Sequence, residues 1–90
     1  MTCFEPHDDA SYLTWLDAHP DGYVVNTEPS GRGFVKLHRA VCDTIRNRPP
    51  FIGPSYIKIC SSSLEEAERW VLDRKGIPAD RCGAYQCWPL

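Results

Sequence analysis

Ninety residues with 42% hydrophobic side chains suffice for one domain with a thin core, and they exclude global disorder. No stretch approaches the ~20 apolar residues of a membrane helix, and the acidic start lacks the apolar run of a secretory signal. The net charge of −2 hides a segregation: residues 1–29 carry six acids and no Lys or Arg, whereas residues 30–62 carry six bases against Asp43 alone.

A cytoplasmic location is therefore expected. In a reducing compartment the five cysteines would be thiols or metal ligands, and an odd number cannot pair completely within one chain.

Residues 1–7 read as a loose leader, with residues 8–90 forming a single α+β domain. A helix should start at Asp8 or Asp9, which suit an N-cap and the positive helix end. Tyr12, Leu13, Trp15 and Leu16 recur at helical spacing and give it one broad apolar face. His19-Pro-Asp-Gly22 ends it.

Tyr23–Thr27 is short, β-branched and aromatic, and reads as a strand. Glu28–Gly33 is a turn with two glycines, and Phe34–Arg39 resumes as a strand, which predicts a hairpin around a flexible tip bearing Arg32. Leu37, Val41 and Ile45 then follow a helical period, so a short helix should end near Arg46. Asn47–Pro54 holds three prolines and a glycine and must be loop. Ser55–Cys60 is the clearest strand.

The second helix has the sharpest boundaries. Ser62 with Glu65, or Ser63 with Glu66, makes a capping box; Gly76 suits the C′ position and Pro78 blocks continuation. The tail from Ala79 is too apolar to be idle and should pack back on the body. The order α-β-β-(α)-β-α predicts a small three-stranded, mainly antiparallel sheet with helices on one face, two of them main helices and the third short. The other sheet face would carry Lys36, Tyr56 and Lys58.

Four constellations compete. His38, Cys42, Cys82 and Cys87 supply four N or S ligands of the kind zinc takes. His-x3-Cys places two on one side of an element, and Cys82–Cys87 brackets a glycine-containing loop. Buried free thiols and a packed histidine are the alternative, as is a Cys82–Cys87 disulfide in an oxidising compartment. Cys60 reads as a sheet thiol and Cys3 as a leader residue.

The basic segment is the second. Arg32, Lys36, Arg39, Arg46, Arg48 and Lys58 suit phosphate contact, with His38 among them, and Tyr56, Phe51 or Phe34 could stack on bases. An ordinary solvated face is the alternative. The third is Cys42 activated by His38; the Cys-His spacing alone supplies no oxyanion site. Gly31-Arg-Gly33 is no phosphate loop. The fourth is a contact patch built from Trp15, Trp70, Trp88 and Tyr85, with homodimerisation as one use.

The sequence thus favours a non-enzymatic binding module that contacts nucleic acid, DNA included, or a nucleic-acid-associated protein, through residues 30–62. The alternative is a protein-interaction or dimerisation module using exposed aromatics. The expected cofactor is none, or one structural zinc.

Overall fold

The computed structural model describes residues 1–46, 49–84 and 87–88. The chain runs β1 (Thr2–Phe4), α1 (Asp9–Ala18), β2 (Tyr23–Thr27), β3 (Val35–Arg39), a one-turn 3₁₀ helix (Asp43–Ile45), β4 (Ile57–Ser61) and α2 (Leu64–Lys75). The fold is α+β, with the expected order from α1 onward. The four strands form one antiparallel sheet in the order β1-β4-β2-β3.

The fourth strand corrects the leader expectation. Thr2–Phe4 pairs with Cys60–Lys58 of β4, and Phe4 is buried. Three residues are too short to display a period of two, so periodicity cannot reveal such a strand.

Both faces of the sheet are covered, which corrects the expectation of helices on one face. Val24 and Cys60 pack under Tyr12 and Leu16 of α1, together with Phe4, Ile45 and Ile52. Val25, Val35, Leu37, Ile57 and Ile59 face Ala67, Trp70 and Val71 of α2. Apolar residues on both sides of one strand are the mark of a doubly covered sheet, and Val24-Val25 carries it.

Each helix end has its own chemistry. Ser63 caps α2 by accepting the Glu66 N–H at 3.2 Å. The Glu66 carboxylate accepts the Ser61 hydroxyl at 2.7 Å, and that hydroxyl oxygen accepts the Ser63 N–H at 3.0 Å. Ser61 thus relays the second half of the capping box. Gly76 closes α2 at φ 77°, where any other residue would be strained. Asp8 makes no side-chain cap on α1; it accepts the Glu5 N–H instead. Asp9 reaches across the fold, accepting the N–H groups of Phe51 and Ile52 at 3.0 and 3.2 Å. It ties the proline-rich loop to α1.

The β2–β3 hairpin is present, but its tip is organised. The Glu28 carboxylate accepts N–H groups from Ser30, Arg32 and Gly33 and the Ser30 hydroxyl. Gly31, at φ 75°, lies against Trp70, where an added Cβ would meet the indole at 2.8 Å. The expected helix after β3 is reduced to the 3₁₀ turn, and Val41 of its presumed apolar stripe is exposed. Cys42 takes the buried place instead.

Candidate metal centre

β3 places His38 on the α1 side of the sheet, opposite Val24 in register. The chain leaves β3 at Arg39, turns, and buries Cys42 just before the 3₁₀ helix. The tail returns along β3: the Leu37 N–H donates to Asp80 O at 2.8 Å, and the Cys82 N–H donates to Leu37 O at 2.9 Å. These bonds make a parallel bridge between Leu37 and Arg81. The Trp88 indole N–H also donates to Leu37 O, at 3.2 Å, and its ring stacks on Tyr23 under the Arg81 guanidinium. Lys36 pairs with Asp80 at 2.6 Å.

This path carries Cys82 and Cys87 to His38 and Cys42. One ligand atom from each of the four residues lies within 4.8 Å of all the others. Cys42 Sγ and Cys82 Sγ are 3.9 Å apart, and Cys87 Sγ is 3.9 Å from His38 Nδ1. Ligands at 2.0–2.3 Å from a tetrahedral zinc stand roughly 3.5–3.8 Å from each other. The four atoms need move by less than about an ångström to take a zinc ion. They are compatible with a structural zinc site.

The electrostatics suit the same role. Burial, helped by the charges of Lys58 and Lys36, pushes His38 down to about 4, so its imidazole is neutral at pH 7 with a lone pair for a metal. Cys87 is pushed up to about 12 by burial and by its hydrogen bond with Cys42, against the Arg39 backbone N–H, which lowers it. Burial also raises Cys82, but the Ala84 N–H and contacts with Thr44, Cys42 and Cys87 outweigh it and leave that thiol below its ordinary value. Backbone N–H groups directed at sulfur stabilise thiolates.

Thr44 was not singled out in the sequence. Its hydroxyl lies 2.9 Å from Cys42 Sγ, 3.3 Å from His38 Nδ1 and 3.7 Å from Cys82 Sγ. It stands over the face of the cluster formed by those three atoms. The one sequence signal was a hydroxyl two residues beyond a candidate ligand, which is common in turns.

The described basic side chains differ in burial and partners. Arg46 pairs with Asp17 at 3.0 Å and also donates to Ala40 O. Lys36 is held by Asp80. Lys58 is 4% exposed, under the Tyr12 ring at 5.7 Å, where burial lowers it to about 8. It cannot contact phosphate from there, which corrects its expected exposure on an open face. Arg32 is exposed and Arg39 half-buried; Arg48 lies outside the described residues. Tyr56 is half-buried, edge-on to the exposed Phe34, and Phe51 packs against the α1-side core.

The aromatics of the expected contact patch differ in burial. Trp70 is buried, Trp15 and Trp88 are partly covered, and Tyr85 lies outside the described residues. Cys60 is a buried sheet thiol pushed up to about 12 by burial, and Cys3 is exposed on β1. Among the described residues, no helix is long and apolar enough to cross a membrane. No family model matches this chain, and neither a curated protein nor a solved structure matches it significantly.

Proposed function

We propose that His38, Cys42, Cys82 and Cys87 bind one structural Zn²⁺, and that this chain is a small zinc-stapled binding domain without catalytic chemistry of its own. The convergence of four ligand atoms within 4.8 Å, from positions up to 49 residues apart, carries the reading. Four protein ligands fill a tetrahedral ion and leave no position for a substrate or water, as in structural rather than catalytic zinc sites. The ion would fasten Cys82 and Cys87 of the tail to His38 on β3. A domain of 90 residues gains from such a staple because its core is thin.

Metal analysis of protein purified without chelator tests this, with cobalt substitution as the spectroscopic check. One equivalent of zinc, and cobalt bands in the visible and thiolate-to-metal regions typical of three sulfurs, are expected. Metal-free protein that stays metal-free on zinc addition would rule it out. Nucleic-acid contact is the weaker reading, since Lys36 and Arg46 are already paired and Lys58 is buried.

A further inference from the structure

We infer that Cys82 is an oxidant-reactive site and that Cys42 is its resolving partner, so that a peroxide converts the metal centre into a Cys42–Cys82 disulfide. The inference rests on the zinc reading for the release of metal, but the choice of the two thiols rests on geometry alone.

Accessibility separates the three thiols. Cys42 and Cys87 are 0% exposed, whereas Cys82 is partly exposed. Gly83 follows it, is exposed and carries no side chain to shield the thiol. A solvent-borne oxidant reaches Cys82 first. Cys42 Sγ stands 3.9 Å from it, close enough to attack an oxidised Cys82 sulfur after a small movement. These two thiols stand on separate anchored segments: Cys42 precedes the 3₁₀ helix, and Cys82 is bonded to Leu37. The backbone thus brings the two sulfurs together at the cluster's edge strand.

The chemistry balances. The Cys82 thiolate attacks one oxygen of a hydroperoxide, the O–O bond breaks, and an alkoxide or hydroxide leaves; Cys82 becomes a sulfenic acid. The Cys42 thiolate then attacks the Cys82 sulfur, the S–S bond forms, and the S–O bond breaks with loss of hydroxide. Two thiolates lose two electrons in all, and one peroxide takes them. Protons from solvent turn the leaving groups into water and alcohol. His38 and Cys87 remain as two ligands, too few to retain the ion.

The experiment uses the zinc-loaded chain carrying Cys3→Ser, which removes the exposed thiol of β1 from the count. Hydrogen peroxide is titrated while a chromogenic chelator reports free zinc. Differential alkylation and peptide mass mapping then locate the disulfide. Zinc release in step with a Cys42–Cys82 disulfide, reversed by a dithiol reductant, is the expected result. A Cys42→Ser variant should trap a sulfenic acid on Cys82 that dimedone labels. A disulfide that includes Cys87, or first oxidation at Cys42 or Cys60, would overturn the inference. Mapping of the Cys3→Ser chain decides this even if Cys42→Ser fails to fold. Metal content before peroxide, and the same mapping on metal-free protein, separate failure of the zinc reading from failure of the thiol assignment.

Discussion

The carbonyl of Leu37, in the middle of β3, accepts the N–H of Cys82 at 2.9 Å. A core residue of the sheet and a ligand of the proposed centre therefore share one hydrogen bond, and the tail and the metal site stand or fall together. Removing zinc with a chelator should raise amide exchange at Leu37 and Cys82 in parallel. Exchange measured by NMR checks this; unchanged protection would mean that Trp88 and Asp80 hold the tail without the ion.

Stability should follow metal occupancy. An ion that binds only the folded chain adds about 4 kcal/mol when free zinc is 1,000-fold above its dissociation constant. Thermal melts with zinc and with chelator should differ accordingly. His38→Ala should remove most of that difference.

Thr44 should act on metal retention more than on folding. Partners of metal ligands typically contribute 10–100-fold in affinity. Thr44→Val, which keeps the shape and removes the hydroxyl, is expected to weaken zinc binding by roughly 10-fold. Thr44→Ser should restore it. Competition against a calibrated chelator measures both, and melts of the metal-free variants should coincide with the unsubstituted chain.

Lys58 is a cation where α1 covers the sheet. Its amine is lowered to about 8 by burial, from an ordinary 10.5. Between those values the unfolded chain binds more protons than the folded one, so stability rises with pH. The burial cost is fully present below about 8 and is relieved as pH rises toward 10.5. The stability of a Lys58→Met variant relative to the unsubstituted chain should fall by on the order of 3 kcal/mol across that window. Urea melts at paired pH values test it; a constant difference would show Lys58 unperturbed.

Glu28 titrates in the opposite sense. Its carboxylate is lowered to about 2, first by the Ser30 hydroxyl and then by the N–H groups of Gly33, Ser30 and Arg32. The contribution of the hairpin tip is complete above the ordinary carboxylate value and is lost as pH falls through about 2. Carbon-detected NMR titration of the Glu28 carboxyl should place its midpoint well below that of other glutamates. Glu28→Gln should loosen Ser30–Gly33 at neutral pH, seen as faster amide exchange.

Local chemistry was legible wherever it is self-contained. Tyr23–Thr27 announces a strand by its side chains, and Ser63, Glu66 and Gly76 bound α2 because caps are satisfied within one turn. The candidate ligands His38, Cys42, Cys82 and Cys87 could be named from residue type alone. Their convergence could not, because it depends on the tail returning to β3 through backbone bonds that carry no side-chain signal. Thr2–Phe4 had too few residues to show a period, and the neighbours Val24 and Val25 revealed two covered faces only once α1 and α2 were placed. Charge was the least legible. Of the six bases in residues 30–62, Lys36 is spent on Asp80, Arg46 on Asp17 and Lys58 on burial beside Tyr12, since ion pairing and burial are decided by partners distant along the chain. The sequence by itself determined α1, α2, the strands β2, β3 and β4 and the four donors; only the tertiary structure decided which donors meet, because proximity is set by the sheet edge that receives the tail.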